Sequence, residues 1–297
     1  MAYYRLGLIG WPVAHSLSPL IHRLALQASG LEGEYLLYPV DPQRFDEGAG
    51  ELMRQLRHGE LDGINVTVPH KQRVLAYTDC LTASARMAGA VNTLYVENGD
   101  VVGDNSDIPG FWMDLERLGW VEKKHRTAHS HYDTPGDRAI ILGAGGAARA
   151  VAVAFAIHGC QVGLAARREE QAHEAAMELN RSIGKQVVMA LRLDGRLGEN
   201  FGDPVNIIVN ATSAGMPPQT GVDPWPEQIP LPRGARLYDL VYNPPQTRLL
   251  QRARSSGLQA ANGLGMLVGQ AVLAFQRWTK QMPSFEAILH EVQSQIA

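Results

Sequence analysis

The segment Gly143-Ala144-Gly145-Gly146-Ala147-Ala148 has the spacing G-x-G-x-x-A, which is typical of turns that hold the pyrophosphate of a dinucleotide. In this motif Gly143 permits a tight turn, and Gly145 lets the backbone approach the phosphates. The apolar run 139–142 precedes the turn and an alanine-rich helical pattern follows it, so free N–H groups of a helix would face the anion. A glycine-rich turn can also serve only to pack a helix, but this strand–turn–helix context favours a dinucleotide site.

The residues Ala166-Arg167-Arg168 follow the next apolar strand and indicate which dinucleotide binds. NAD sites usually place Asp or Glu here, where the carboxylate accepts a hydrogen bond from the ribose 2′-hydroxyl. Two guanidinium groups match a 2′-phosphate instead, in charge and in bidentate geometry. The arginines could also be solvated loop residues, and Glu169 or Glu170 could meet a ribose. The absence of an acid at the tip itself leads us to predict NADP.

Four polar clusters lie outside this motif. Ser16-Leu17-Ser18 precedes a helical pattern, and two hydroxyls beside a helix N-terminus can hold a carboxylate, although Ser18 alone would serve as an N-cap. The segments 65–71, 89–93 and 103–107 place lysine, amide and carboxylate groups at predicted strand ends. The first of them, 65–71, is predicted to end a strand and to start a helix at Lys71. Each has an ordinary explanation as turn chemistry or as a solvated charge.

Apolar strand-like runs alternate with helical patterns along the chain, which predicts an α/β protein with mostly parallel sheets. The first unit is predicted to contain strands at 5–9, 35–40 and 61–68, helices at 19–30 (with Ser18 as N-cap) and 42–58, and a hairpin at 90–102. The second, of Rossmann type, is predicted to contain strands at 139–142, 161–165, 186–191, 206–210 and 236–240. Helices at 266–280 and 285–295 end the chain.

Residues 119–138 lack apolar periodicity and contain Pro135-Gly136, which predicts an exposed linker. The linker holds His125, His129 and His131. Without carboxylate or cysteine partners these histidines do not form a typical closed site, so no metal is predicted.

Composition narrows the class of protein. With 297 residues, 45% of them hydrophobic, the chain can form two domains with sizeable cores. A net charge of -3 without a basic run favours neither nucleic acid nor an anionic membrane as a partner. The two cysteines, Cys80 and Cys160, have no ligand spacing, so we interpret them as reduced, packed thiols of a cytoplasmic protein.

With these motifs in view, the chain resembles the shikimate dehydrogenase family over nearly its whole length. The matching segments occur in the family's order: 16–19, 65–71, 89–93, 103–107, 143–147, 210–213, 238–242 and 262–267 with Gln270. The methylenetetrahydrofolate dehydrogenase family also places a lysine beside a Rossmann domain but lacks this set.

The resemblance implies a substrate domain at 1–107, an NADP domain at 108–262 that contains the linker 119–138, and C-terminal helices at 263–297 that return to the substrate domain. A cleft between the domains would hold the ligands. The implied cofactor-binding residues are Gly143, Ala144, Gly145, Gly146, Ala147, Arg167, Arg168 and Gly263, the last against the nicotinamide.

The resemblance also implies which residues bind the substrate: Ser16, Ser18, Thr67, Lys71, Asn92, Asp107, Tyr242 and Gln270. The two serines would bind its carboxylate, and Tyr242 would close on that end. Lys71 and Asp107 would be catalytic and flank the hydroxyl that becomes a ketone. A Lys–Asp pair suits this reaction, because the lysine can supply or accept the proton while the carboxylate holds the ammonium.

Some positions depart from the family pattern. Ser106 replaces a usual threonine, and Asn262 replaces a frequent aspartate. Ala166 replaces the asparagine of the family's N-R-T cofactor motif, and Gln171 stands where a basic residue is common. These changes leave Arg167 and Arg168 to hold the 2′-phosphate.

The implied activity is NADPH-dependent, reversible reduction of 3-dehydroshikimate to shikimate, in the biosynthesis of chorismate and aromatic amino acids. The alternatives are a paralogue that oxidises quinate or aminoshikimate with NAD, and an NADP-binding sensor without activity. The chain would act on small molecules as a monomer or homodimer.

Overall fold

The computed structural model describes residues 2–121, 137–194, 197 and 201–296. The chain forms two compact units, one of Met1–Asp114 with Gly265–Ala297 and one of Leu115–Leu264. The C-terminal helices therefore belong to the first unit, as predicted. Most of the predicted linker, residues 122–136, lies outside the described residues.

The first unit contains a six-stranded mixed sheet with the order β2-β1-β3-β5-β6-β4. Its strands are β1 (Tyr3–Gly10), β2 (Glu32–Pro39), β3 (Gly63–Val66), β4 (Cys80–Leu81), β5 (Thr93–Glu97) and β6 (Asp100–Asp104). β1 pairs in parallel with β2 and β3, whereas β5 pairs antiparallel with β3 and β6. The hairpin β5–β6 confirms the prediction from the turn Glu97-Asn98-Gly99-Asp100.

Six helices accompany this sheet: α1 (Ser18–Ala28), α2 (Phe45–Arg57), α3 (Ala83–Ala88), α4 (Asp107–Arg117), α8 (Leu264–Thr279) and α9 (Phe285–Ile296). α1 follows the sequence pattern, because Pro19 lies in its first turn and Ile21, Leu24 and Ala25 are buried at helical spacing. Gly30 adopts a φ of 63° just after the helix.

Three local predictions were wrong. Ser18 is the first residue of α1 and makes no capping hydrogen bond; instead its own N–H donates to Ser16 Oγ at 3.2 Å. The helix expected from Pro42 begins as a 3₁₀ turn, Pro42–Arg44, because the Asp41 side chain accepts from Gln43 N–H and α2 starts only at Phe45. No helix starts at Lys71, which precedes the 3₁₀ helix Arg73–Tyr77.

Helices α4 and α8 approach each other through their backbones. A Cβ at Gly110 of α4 would lie 2.4 Å from the backbone nitrogen of Gln270, and one at Gly269 would lie 2.7 Å from the Gly110 oxygen. Such contact admits no side chain larger than hydrogen at Gly110. It fixes α4, which begins at Asp107, against the helix that carries Gln270.

The second unit is built on a six-stranded, fully parallel sheet with the order β12-β11-β10-β7-β8-β9. The strands are β7 (Arg138–Leu142), β8 (Gln161–Ala166), β9 (Val188–Arg192), β10 (Ile207–Asn210), β11 (Arg236–Asp239) and β12 (Ala260–Asn262). The helices are α5 (Gly146–Ile157), α6 (Glu169–Ile183) and α7 (Arg248–Ser255). This order is that of a doubly wound Rossmann sheet and confirms the predicted fold class.

The two cysteines are free. Burial raises the pKa of the Cys160 thiol to about 12, which suits a packed side chain. Cys80 is exposed, so the packing prediction was wrong for that residue. None of the described helices is long and apolar enough to span a membrane.

Candidate functional site

The structure joins Lys71 and Asp107 in an ion pair. Lys71 Nζ lies 2.6 Å from Asp107 Oδ2, and the two side chains are 13% and 4% exposed. The backbone of Lys71 is fixed because Val91 N–H donates to its carbonyl oxygen at 2.8 Å. The pair is thus largely shielded from water. In such surroundings a charge–charge contact is stronger than at the protein surface.

Asn92 connects this pair to its surroundings. Its Nδ2 donates to Asp107 Oδ1 at 2.8 Å and lies 3.0 Å from Ser106 Oγ and 3.4 Å from Gln270 Oε1. Its Oδ1 accepts from Ser106 N–H at 2.8 Å. The structure therefore brings Lys71, Asn92, Asp107 and Gln270 together, and Asn92 orients the carboxylate that holds the lysine.

A buried polar chain that the sequence did not reveal extends from this cluster. Asn65 Nδ2 donates to the Asn92 carbonyl oxygen at 3.1 Å and lies 3.3 Å from Thr93 Oγ1. Asn65 Oδ1 accepts from the Tyr35 hydroxyl at 2.9 Å and lies 3.1 Å from His22 Nε2. Burial raises the pKa of the Tyr35 hydroxyl, and a hydrogen bond with the side chain of Ser18 acts the other way. Hydrogen bonds thus connect Tyr35 and His22 through Asn65 to Asn92, which orients Asp107.

His22 is neutral in this chain of hydrogen bonds. Burial lowers the pKa of His22 to about 3, while its hydrogen bond to Asn65 acts the other way. Its Nδ1 is buried without a partner among the described residues, so the proton belongs on Nε2, where it meets the Asn65 oxygen. The Tyr35 ring stacks on the imidazole with centroids 4.2 Å apart. A polar Asn65 in the middle of an apolar strand was the available sequence signal.

Asp104, at the end of β6, anchors the segment that leads to Asp107. Its carboxylate accepts from Thr82 at 2.6 Å, from Ser84 at 2.7 Å and from Arg277 Nε at 2.8 Å. Arg277 lies on α8, the helix of Gln270. The carboxylate therefore ties the 104–107 segment to α8.

The remaining predicted substrate residues, Ser16, Ser18, Thr67 and Tyr242, are buried or half-buried. Ser16 is half-buried, and Ser18 is buried. Thr67 follows β3, is half-buried, and donates its N–H to the Ile9 oxygen at 2.9 Å. Tyr242 belongs to the second unit and is half-buried there.

The glycine turn of the second unit opens onto a cavity of about 800 Å³. Gly143 has a φ of 119°, and Gly145 is the N-cap of α5 with no side chain capping the helix. A Cβ at Gly145 would meet nothing within 4 Å, so the space in front of the helix N-terminus is open. Gly143, Ala144 and Gly145 line the cavity, whereas Gly146 and Ala147 lie in the first turn of α5. Free helix N–H groups beside an open cavity fit the phosphates of a dinucleotide.

Arg167 and Arg168 line the same cavity, directly after β8. Glu169 and Glu170 are not among the described residues that line it, and Glu169 lies 3.5 Å from Arg192. The cavity also contains Asp194, which pairs with Arg192 at 2.8 Å. The basic character at the strand tip therefore comes from the two predicted arginines. Gly263 is buried after β12.

Within the described part of the chain, no group of three His, Cys, Asp or Glu side chains is arranged to hold a metal ion. The linker histidines fall outside that part.

Comparisons with known proteins identify the family of this chain. The family described as "Shikimate dehydrogenase substrate binding domain" matches residues 8–94, and the "Shikimate 5'-dehydrogenase C-terminal domain" matches residues 263–293. A shikimate dehydrogenase (NADP(+)) of Caldanaerobacter subterraneus subsp. tengcongensis is 35% identical over 98% of this chain and 96% of its own.

Two solved structures show how widely the fold is used. Shikimate 5-dehydrogenase of Thermus thermophilus, in complex with NADP(H) and shikimate, is 32% identical with a TM-score of 0.78, covering 98% of this chain and 99% of its own. Quinate dehydrogenase of Corynebacterium glutamicum, in complex with NAD, is 29% identical with a TM-score of 0.81, covering 98% and 99%. The fold alone therefore does not choose between substrates. From the family matches and the near-full-length relative, the chain belongs to the shikimate dehydrogenase family.

Proposed function

We propose that the protein is an NADP-dependent shikimate dehydrogenase, which reversibly reduces 3-dehydroshikimate to shikimate in the biosynthesis of chorismate and aromatic amino acids. The observation that carries the proposal is the shielded Lys71–Asp107 pair, at 2.6 Å, held by Asn92 and lying in the same cluster as Gln270. The names of its relatives support it.

When bound, NADPH would supply the hydride for the ketone carbon. Lys71 Nζ would give a proton to the ketone oxygen as charge develops on it, and would take that proton back in the oxidation direction. Asp107 would hold the ammonium through Oδ2, while Asn92 keeps Oδ1 in place. Because these contacts exist before substrate arrives, little reorganisation would be needed during the reaction.

The other contacts of the substrate are proposed from position. Ser16 and Ser18 would bind its carboxylate beside the N-terminus of α1, and Thr67 and Gln270 its hydroxyls. Asn92 would bind a substrate hydroxyl and would also orient Asp107. Tyr242 would close on the carboxylate end.

For the cofactor we propose Gly143, Ala144 and Gly145 at the pyrophosphate, supported by Gly146 and Ala147 in the first turn of α5, Arg167 and Arg168 at the 2′-phosphate, and Gly263 at the nicotinamide. The cavity fits this group because its described lining offers arginine, rather than an acid, at the tip of β8. A monomeric or homodimeric state and a cytoplasmic location stay predictions.

Activity measurements with the purified chain test the proposal. Shikimate and quinate are each combined with NADP and with NAD, and initial rates are measured in the oxidation direction. We expect the highest kcat/KM for shikimate with NADP. Preference for quinate with NAD would make the protein a quinate dehydrogenase, and NADP binding without turnover of either acid would make it a sensor.

A further inference from the structure

One wall of the NADP cavity is a segment without regular structure. The described residues between β10 and β11 form neither helix nor strand, and residues 222–228 of this stretch line the cavity. Backbone groups in such a segment have no strand or helix partners, so other groups must satisfy those that are shielded from water. The backbone of the wall, defined as residues 223–229, makes a hydrogen bond from Ile229 N–H to the Pro226 oxygen at 3.1 Å, and side chains contact further carbonyl oxygens of the wall.

One side chain, Arg252, contacts four of these carbonyl oxygens. The Arg252 guanidinium donates to the carbonyl oxygens of Trp225 (3.2 Å), Pro226 (3.2 Å), Glu227 (3.3 Å) and Ile229 (2.7 Å). The Trp225 indole N–H also donates to the Ile229 oxygen at 3.1 Å, within the segment. Arg252 is not among the described residues that line the cavity, so it acts on the wall from behind.

The helix α7, which carries Arg252, is anchored to the sheet at its N-terminus. Thr247, the N-cap of α7, donates through Oγ1 to Asp239 Oδ2 at 2.5 Å, and Asp239 ends β11. Asn210, at the end of β10, donates to the other oxygen of that carboxylate at 2.8 Å. The wall is thus linked through α7 to the central strands of its own unit.

Arg252 also balances a charge. Its Nη1 lies 3.2 Å from Asp223 Oδ2, and the two side chains are 24% and 5% exposed. Asp223 lines the cavity and also accepts from Trp225 N–H at 2.9 Å. A carboxylate in a cavity for a polyanion would repel the ligand unless a cation offsets it.

From these contacts we infer that Arg252 is a positioning residue for NADP: it holds the 223–229 wall in its binding shape and offsets the charge of Asp223. The inference rests on the proposed use of the cavity for NADP. It gives a role in cofactor affinity to a residue that is not among the described residues lining the cavity.

Calorimetric titration of the full chain with NADP tests it. R252Q removes the cation and most of the donors, and we expect its Kd for NADP to rise about tenfold, because binding would then have to order a wall that Arg252 otherwise holds in place. In kinetics the KM for NADP should rise while the KM for shikimate stays unchanged. R254Q is the matched control, because Arg254 lies on the same helix, is exposed, and contacts the Ala260 oxygen.

Two further variants separate the parts of the inference. R252K keeps the charge but not the planar set of donors, so it should weaken NADP binding even if R252Q does not fold. D223N added to R252Q should recover part of the lost affinity, and no recovery would overturn the charge role. Wild-type Kd values in both R252Q and R252K, with wild-type protein binding NADP, would overturn the inference. Failure of the wild-type protein to bind NADP would instead overturn the proposed cofactor.

Discussion

The Lys71–Asp107 cluster and the Arg167–Arg168 tip are built in opposite ways. In the cluster, both carboxylate oxygens of Asp107 are already hydrogen-bonded within the protein and its side chain is 4% exposed. At the tip of β8, both arginines are exposed. The first region is thus hydrogen-bonded within the protein in the absence of ligand, whereas the two arginines of the second would gain their partner only on binding of the proposed cofactor.

This structural difference predicts that one region acts on the rate of the reaction and the other on the affinity for the cofactor. A catalytic group held in place by a buried network needs no further ordering during the reaction. Its interactions therefore act chiefly on the transition state. An exposed charge gains its partner on binding and affects the ground state and the transition state alike. Substitutions in the cluster should therefore change kcat, and substitutions at the tip should change KM for the cofactor.

The largest effect is expected for K71A. Loss of the proton-transfer group should lower kcat by about 10²–10⁴-fold, with a much smaller change in KM for shikimate. Steady-state kinetics with shikimate and NADP measure both, and K185A, at an exposed lysine, is the control. A raised KM with nearly normal kcat would make Lys71 a binding residue only and would break the comparison.

The double variant R167A/R168A tests the tip. Two lost charge-assisted contacts to the 2′-phosphate should raise the KM for NADP by about 10–100-fold and leave the KM for NAD nearly unchanged. R181A, in the last turn of α6, controls for loss of an arginine elsewhere. Equal losses with NAD and NADP would show that these arginines do not read the 2′-phosphate.

Two glycine variants sharpen the contrast between folding and binding. G145A should fold like the wild type, because its Cβ meets nothing within 4 Å, yet raise the KM for NADP about tenfold by keeping the backbone from the phosphates. G110A should lose about 1–3 kcal/mol of stability, because its Cβ would lie 2.4 Å from the Gln270 nitrogen. Thermal unfolding and cofactor kinetics separate the two effects. Destabilisation of G145A equal to that of G110A would contradict this prediction.

The smallest effect on stability at neutral pH is expected for H22Q. This variant tests whether burial of the polar chain keeps His22 uncharged. The pKa of His22 falls from 6.5 to about 3 on folding, so its contribution to stability is complete above pH 6.5 and is lost as pH falls toward 3. At pH 5 the loss is about 2 kcal/mol. H22Q keeps a donor for Asn65 and should remove this loss, whereas H58Q, at an exposed histidine, should not.

The measurement is the free energy of unfolding by urea between pH 8 and pH 4. If the free energies of unfolding of wild type and H22Q fall in parallel over that range, the fold does not keep His22 neutral. Water would then reach the polar chain around His22 more easily than its burial indicates.

Much of the local structure followed from the chain alone. The strands of both units other than β4 and β12, the helices α1, α2, α5, α8 and α9, the β5–β6 hairpin and the turn at Gly143 were predicted, because apolar periodicity and turn chemistry act over a few residues. The helices α3, α4, α6 and α7 were not predicted. Predictions that depended on a single side chain did less well. Ser18 was expected to cap α1, but the hydroxyl of Ser16 takes its N–H instead.

The sequence by itself determined which residues were available for chemistry: a lysine, an aspartate, a glycine turn and an arginine pair at strand ends. Tertiary structure decided their partners. Lys71 meets an aspartate 36 residues away, Asn92 meets Gln270 178 residues away, and Arg252 meets the wall of a cavity at Trp225, 27 residues before it. Such pairings depend on strand order and, for Asn92 and Gln270, on the close packing of α4 and α8, which set distances between residues that no local pattern connects.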